Sequence, residues 1–577
     1  MDHLPDPYSS ELERLAARVT EVERRLSELE GGKAAAVPEV AFLSSVPAAA
    51  TTQQKDNKTT QTVSVVAIAG RALLGLAGAY LLRAAFESEV APKLAVAGMA
   101  LLLAWAWLFL SVRAAKRSEV AGAVYGITSA LIIFPMLWET TVSFKLLPAM
   151  VTAVVLVAWL FSALLLVRRQ SLAITLWVTA LFVSGSALGL FVAMRDPLPF
   201  TITLIVSAAL TEYVACRQKW AGLRIAAEAT LDLMLCIVAY LATRPGGFPE
   251  GYILVTTPTL QVLFVMPVLI IACGVGYRTI LLHKQIAFWD IVQTCVTFAL
   301  ALLVALQLGG SAGLRAFGAS GFLAAAACYL EAFLNSRIRS DPRNFGFYHA
   351  WAAALFLISS YLLLPVSAVT AWLSLSAIVA TTLALRTGSL SFGFDGLVWL
   401  IAAESTSGLL GYAVNLFAGS YPSVAPPMAW LTAISAVTCA LIFLLPASRG
   451  RGIALVSSFS VANAALLMGA FGVAGTVMAT GGGDCLSVPR LAVIRTVVIC
   501  LVTLALAIAG SRRNRRELIW VAYLTIGLGS LKLLLEDLRR GSSVSFAFSL
   551  LAFGVLLAII PRVIRTGDRK KVLASPE

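Results

Sequence analysis

Charged residues are scarce in this sequence. Only 13% of its 577 residues are charged, whereas 59% are hydrophobic, and the mean hydropathy is +0.87. A soluble globular protein is closer to one quarter charged, so a chain of soluble domains is excluded. The apolar residues come in runs of about eighteen or more, which is long enough to cross the hydrocarbon core of a bilayer as a helix. The composition therefore predicts an integral membrane protein.

Histidine is rare, and cysteine is almost confined to the apolar runs. The three histidines (His3, His283 and His349) do not have the spacing of a metal site. Of the eight cysteines, only Cys485 falls in a predicted external loop, so it has no loop partner for a disulfide. The sequence also lacks HExxH, GxSxG and Walker motifs. It therefore predicts no catalytic residue, no metal site and no cofactor.

The basic character of the chain does not indicate nucleic-acid binding. The formal net charge is +14, but no basic stretch is long or interleaved with aromatic residues, as nucleic-acid-binding segments are. The basic residues instead lie in short loops between apolar runs, where they orient a protein in the membrane. The predicted partner of the chain is the lipid bilayer, and the sequence does not identify a small molecule or ion as substrate.

Residues 1–32 carry a heptad pattern. Apolar residues recur at alternating spacings of three and four, as they do at the a and d positions of a coiled coil. These residues are Leu12, Leu15, Val19, Val22, Leu26 and Leu29. In a parallel pair, Arg18 would face Glu23 of the second copy, and Arg25 would face Glu30. The pattern predicts a cytoplasmic coiled-coil helix that forms a homodimer; an isolated amphipathic helix or a helix docked on another protein are the alternatives.

The rest of the chain divides by composition into three parts. Residues 33–61 have no helical period and are predicted to form a flexible linker. Residues 62–562 form the predicted transmembrane domain, and residues 563–577 form a basic cytoplasmic tail. About eighteen hydrophobic runs lie in the transmembrane domain. They are centred near residues 72, 102, 129, 157, 183, 208, 233, 271, 298, 324, 354, 376, 405, 437, 463, 500, 526 and 553. The predicted fold is an all-α, polytopic helical bundle.

The loops between these runs alternate in positive charge. Loops after even-numbered runs, together with the C-terminal tail, carry 25 Lys and Arg residues, whereas loops after odd-numbered runs carry 9. Positive charge marks the cytoplasmic side of a membrane protein. Both termini are therefore predicted to be cytoplasmic. The external loops are short, which argues against a large external catalytic domain.

Three charged residues fall deep inside predicted spans. Arg71, Asp232 and Glu404 lie about 14 to 17 Å from the inner edge of their spans, at about 1.5 Å per residue. An unpaired charge at such a depth costs at least about 2.5–3.5 kcal/mol. Pairing of Arg71 with one of the two acids would offset this cost.

One span carries a ladder of charges. Arg224, Glu228 and Asp232 are spaced four residues apart and share one helical face. The intramembrane charges have three interpretations: a structural ion-pair network, a proton, ion or substrate path, and a catalytic site for a lipid-embedded substrate. Four further charges lie nearer the predicted surfaces and are weaker candidates: Glu212, Glu331, Arg495 and Lys532.

The order of these parts resembles a family of bacterial predicted membrane proteins built around a domain of unknown function. The resemblance rests on the heptads from Leu12 to Leu29, on the first span from Gly70 to Arg83, on the loop Pro92-Lys93-Leu94 and on residues 121–148. It covers residues 10–200 in detail and the rest as a pattern of spans. The resemblance implies a bacterial inner membrane, and it brings no catalytic residues with it.

Two functions remain as expectations from the sequence. Short loops and spans rich in Ala and Gly favour a closely packed membrane scaffold that organises the envelope. The alternative is a transporter or channel that uses Asp232 and Glu404, with a polar cavity beside them. An enzyme acting on lipid would need convergent polar side chains that the sequence does not assemble.

Overall fold

In the computed structural model the chain divides into two units, one ending at Leu73 and the other beginning at Leu74. The predicted coiled coil and linker, residues 1–61, lie outside the described residues. Those described are residues 68, 70–85, 87–88, 92–116, 118–167, 173–217, 221–336, 341–417, 424–444, 451–479, 488–513, 515–538 and 542–574.

The described residues are almost entirely helical and include no strand. In chain order the helices are α1 (residues 70–85), α2 (Lys93–Ala115), α3 (Glu119–Trp138), α4 (Ala149–Val167), α5 (Ala173–Met194), α6 (Pro197–Arg217), α7 (Ala221–Thr243), α8 (Thr257–Gly276), α9 (Phe288–Leu308), α10 (Gly310–Leu334), α11 (Pro342–Leu363), α12 (Val366–Thr387), α13 (Leu390–Thr406), α14 (Leu409–Phe417), α15 (Pro427–Leu444), α16 (Arg451–Ala479), α17 (Val488–Arg513), α18 (Arg516–Lys532) and α19 (Ser543–Ala574). π-helical turns at Glu139–Ser143, Tyr277–Leu281 and Leu533–Asp537 extend α3, α8 and α18.

Fifteen helices in the described part of the chain are long and apolar enough to cross a membrane. A shorter apolar helix runs over Ala149–Leu165, and α13 and α14 together form a broken span with a bend of 76°. The predicted centre near residue 72 falls in α1, and each of the other predicted centres falls in one of these helices. The all-α, polytopic membrane architecture predicted from hydropathy is confirmed.

Local sequence signals set several helix ends. Asp341 caps α11, because its carboxylate accepts hydrogen bonds from the backbone N–H groups of Arg343 (3.0 Å) and Asn344 (3.3 Å). Pro342 occupies the first turn, where no N–H is needed. Gly388 ends α12 in the left-handed conformation, with φ of +72°. The last helix, α19, continues past residue 562, so the predicted boundary of the C-terminal tail falls inside a helix.

The helices pack around three main apolar cores. The first is built by α2 to α9 and contains Trp159, Phe191 and Phe264, whose side chains are fully buried. The second is built by α12 to α16, and the third by α16 to α19. The outer surface is also apolar: only 22% of the span in α19 is buried. Exposed apolar surface on so many helices is what a lipid environment accommodates and water does not.

Candidate functional site

Five charged side chains from four helices meet in one buried group, which we call the charge cluster. They lie at one common end of the four helices: near the end of α6, near the start of α7, in the π turn after α8 and in the first turn of α9. All five are between 2% and 9% exposed. They are Glu212, Arg224, Glu228, Arg278 and Asp290.

Arg224 connects all three acids of the charge cluster. Its Nη1 atom lies 3.3 Å from Glu212 Oε2 and 2.7 Å from Asp290 Oδ1. Its Nε atom lies 3.6 Å from Glu228 Oε2. Arg224 and Glu228, which were predicted to share one face of this helix, are therefore neighbours on α7, although Arg224 also binds two acids from other helices.

Arg278 closes the charge cluster from the opposite side. Its Nη1 atom donates to Glu212 Oε1, and its Nη2 atom donates to Asp290 Oδ1 at 2.7 Å. Each of these acids is therefore shared by two guanidinium groups. This sharing reduces the cost of burying the charges, because the ions are paired and hydrogen-bonded.

The local backbone explains why Asp290 can lie here. It is the third residue of α9, and its Oδ2 atom accepts a hydrogen bond from the backbone N–H of Ala287 at 2.9 Å. That N–H belongs to the first turn of a helix, where no intrahelical acceptor is available. The positive end of the helix dipole favours an acid at the same place.

The charge cluster contains one more acidic than basic side chain. Its three carboxylates face two guanidiniums, and the third carboxylate, Glu228, accepts a further hydrogen bond from Trp289 Nε1 at 2.5 Å. Removing one partner from such a buried network leaves an uncompensated charge, at a cost of about 3–5 kcal/mol. The arrangement therefore fixes α6, α7, α8 and α9 to one another.

Asp232 lies two turns beyond Arg224 on α7, and its hydrogen-bond partner is a neutral side chain. Gln293 of α9 donates from Nε2 to Asp232 Oδ1 at 2.9 Å. Asp232 is half-buried, whereas Gln293 is only 1% exposed. The Oε1 atom of Gln293 has no hydrogen-bond partner among the described residues.

Glu404 occupies a different core, close to the break between α13 and α14. It is fully buried, and its Oε1 atom accepts a hydrogen bond from Asn463 Nδ2 of α16 at 2.7 Å. Its Oε2 atom has no hydrogen-bond partner in the described part of the chain. Like Asp232, this acid is paired with an amide from a neighbouring helix.

A histidine and an acid form another buried contact in the second half of the chain. His349 Nε2 of α11 lies 2.9 Å from Asp395 Oδ2 of α13, within ion-pair distance but without hydrogen-bond geometry. Tyr329 of α10 donates to the same oxygen at 3.1 Å. The ring of His349 packs against Phe345 and Phe392.

A last group of buried charges joins α17 to the π turn after α18. Arg495 Nη1 lies 2.6 Å from Glu536 Oε1, and Lys532 Nζ lies 2.6 Å from Asp537 Oδ1. Thr496 also donates to Asp537, at 2.7 Å. Two basic and two acidic groups therefore balance.

The structure separates the residues that were predicted to form one intramembrane site. Glu228 belongs to the charge cluster, Asp232 pairs with Gln293 in the first core, and Glu404 lies in the second core. Arg71 belongs to the first unit, and its side chain is exposed. The six apolar residues predicted to mediate coiled-coil self-association lie outside the described residues.

Sequence reasoning missed part of the charge cluster. Arg278 counted only as a loop charge, Glu212 ranked as a weak candidate, and Asp290 was not considered. A usable signal was present: only a short loop separates Arg278 from Asp290, and each lies within one turn of a helix end. Two opposite charges so placed are brought together by the turn between antiparallel helices.

The chemistry of these sites is limited by the metal-ligating side chains that lie together. Within the described residues, no group of three or more His, Cys, Asp or Glu side chains is placed to hold a metal ion. No family model, curated protein or solved structure matches this chain.

Proposed function

We propose that this protein is a scaffold of the bacterial inner membrane, similar in kind to the family of predicted membrane proteins described above. The observation that carries the proposal is the charge cluster, whose buried charges satisfy one another across four helices instead of lining an open path. The chain crosses the bilayer eighteen times with both termini in the cytoplasm, as the alternation of basic loops favours. Copies of the chain associate through the N-terminal heptads.

Self-association of the full chain tests the scaffold function. Val19→Glu combined with Leu26→Glu places charges in the predicted seam without breaking helix propensity. The matched control is Ala17→Glu with Ser27→Glu, which adds the same charges outside the seam. We expect the parent and the control to have the mass of a dimer or larger by light scattering in detergent, and the seam variant to have a lower mass. A monomeric parent, or equal masses for both variants, contradicts the proposal.

A transporter or channel is the second candidate function. Two observations favour it: Asp232 and Glu404 are paired with amides and not with basic residues, and Glu404 precedes a broken helix. Broken helices at membrane depth are typical of transport sites. Proton or cation flux into proteoliposomes tests it, with Asp232→Asn and Glu404→Gln expected to abolish flux. Glu250→Gln, in an exposed loop, is the control.

A further inference from the structure

The break between α13 and α14 creates an irregular backbone segment beside a buried acid. α13 ends at Thr406, α14 begins at Leu409, and Gly408 between them has φ of +75°. The two helix axes differ by 76°. Glu404 lies one turn before this break, on α13.

Within the described residues, Glu404 forms no ion pair with a basic side chain. The helices packed most extensively with α13 are α11, α12, α14, α15 and α16, and Tyr329 of α10 also contacts it. Of the titratable groups on α12, α14, α15 and α16, Cys439 of α15 lies within electrostatic range of Glu404. Arg386 ends α12 beside the start of α13, and Arg451 starts α16, so each is about 18–21 Å along the helices from Glu404 or its partner Asn463. Tyr412 on α14 is neutral.

The remaining charged groups on these helices are occupied or distant from the break. Asp395 on α13 is bound by His349 of α11 and by Tyr329. Arg343 is exposed in the first turn of α11. An ionised Glu404 would therefore be a buried charge with a single neutral hydrogen-bond donor, which is a costly arrangement.

An open pocket approaches the break from the start of α12 and α15. It has a volume of about 410 Å³ and is lined by Val366, Ser367, Thr370, Thr406, Ser407, Pro426, Pro427 and Met428. The hydroxyl of Ser407 lies 3.0 Å from Thr432 Oγ1 and donates to the backbone carbonyl of Glu404, also at 3.0 Å. Hydroxyl groups therefore extend from the wall of the pocket to the backbone carbonyl of Glu404, the residue that carries the buried carboxyl.

A second unpartnered polar atom lies on the opposing helix. The hydroxyl of Ser460 is 2% exposed and has no hydrogen-bond acceptor or donor among the described residues. Ser460 is three residues before Asn463, so both lie on one face of α16. Glu404 Oε2 and Ser460 Oγ are thus two buried and unsatisfied polar atoms, one on α13 and one on the helix that supplies Asn463, and buried atoms of this kind call for an explanation such as a bound ligand.

We propose that Glu404 is a proton-binding site in the membrane, loaded through the pocket at the helix break by way of Ser407 and Thr432. A proton from water bonds to Oε2, the carboxylate becomes a neutral carboxylic acid, and Oε1 keeps its hydrogen bond from Asn463. This neutral form removes the uncompensated charge. The proposal names the ligand for the second candidate function, but it does not require net flux and does not depend on self-association.

Infrared spectroscopy of the full chain in liposomes tests the protonation directly. A protonated carboxyl group has a carbonyl-stretching band well separated from carboxylate bands. We expect the parent to show this band at neutral pH, to shift it in deuterated buffer, and to lose it in Glu404→Gln but not in Asp395→Asn. The infrared band and the flux assay are read on the same liposomes. A band without flux refutes transport alone, whereas the absence of the band refutes this inference.

The opposite outcomes are also defined. If Glu404→Gln removes carboxylate bands instead, Glu404 is ionised and the inference is wrong; dependence of those bands on Na⁺ would identify a metal cation as the ligand. If Glu404→Gln does not fold, Glu404→Asp replaces it in the experiment. A protonated aspartic acid keeps the carboxyl group, so the band should shift in frequency and remain present.

The route is tested by the rate at which the band shifts in deuterated buffer. Ser407→Ala should slow the shift about fivefold, the factor for one ordinary hydrogen bond. Thr438→Val, on the exposed side of α15, should leave the rate unchanged. Equal rates in both variants contradict the proposed route.

Discussion

The position of Glu212 in the charge cluster depends on the absence of a side chain at Gly274. A Cβ atom added at Gly274 of α8 would lie 2.6 Å from the carboxyl carbon of Glu212, and closer still to the Oε1 atom that binds Arg278. Gly274→Ala should therefore push this carboxylate away from Arg278. Gly276→Ala is the matched control, because the nearest atom to its added Cβ is 3.9 Å away, in Ile280.

The size of the effect follows from two opposing contributions. Breaking a buried ion pair costs about 3–5 kcal/mol, and the lower end applies because Arg278 keeps Asp290. Replacing Gly by Ala within a helix stabilises it by about 1 kcal/mol. We therefore expect Gly274→Ala to lower the free energy of unfolding by about 2 kcal/mol, and Gly276→Ala to raise it by up to about 1 kcal/mol.

Equilibrium unfolding in mixed micelles, with increasing denaturing detergent, measures both variants. The cause is isolated by repeating Gly274→Ala in a Glu212→Ala background, where there is no carboxylate to displace. There the substitution should no longer be destabilising, which is a non-additive result. Equal stability of Gly274→Ala and Gly276→Ala in the parent, or a cost that persists without Glu212, would refute the reasoning.

Three further substitutions probe other contacts. Trp289→Phe removes the indole donor to Glu228 and should lower the free energy of unfolding by about 1.5–3 kcal/mol, measured in the same micelles. Arg495→Met leaves Glu536 with Lys532 at 3.6 Å and should therefore cost about 3 kcal/mol, the lower end for a broken buried pair; a loss below about 1 kcal/mol contradicts a buried pair. Burial raises the pKa of Asp196, in the loop between α5 and α6, so the folded state favours its proton and stability falls as pH rises through that raised value. Thermal unfolding of Asp196→Asn should lack that fall, and an unchanged pH profile would contradict it.

Hydropathy and charge spacing were enough to predict the helices and one contact of the charge cluster. Each predicted centre falls in a helix, because a run of apolar residues long enough to cross a bilayer must satisfy its backbone internally. The contact between Arg224 and Glu228 was predictable because residues four apart on one helix are neighbours. Both inferences use local sequence only.

Contacts between helices could not be predicted in the same way. Glu212 and Arg278 are 66 positions apart, and nothing in either segment specifies that α6 packs against α8. The same holds for Glu404 and Asn463, which are 59 positions apart. Depth along a span was predictable, but depth does not determine which helices are neighbours. The sequence therefore indicated which acids are intramembrane, and the structure identifies the amides that bind them.

The π-helical turns explain why a correct helix assignment alone would misplace a charge at the end of a span. A π turn contains one extra residue, so the side chains after it are rotated by about 100° from their positions on a continuous α-helix. Each of the three turns described above carries a charge in an ion pair: Glu139 with Arg83 (3.0 Å), Arg278 in the charge cluster, and Asp537 with Lys532 (2.6 Å). A helical projection drawn from the sequence alone assigns Asp537, the last residue of its turn, to another face, whereas Glu139 is the first residue of its turn and keeps its face. Since a π turn has no compositional signature, the pairing at the end of α18 depends on a backbone feature that only the folded structure reveals.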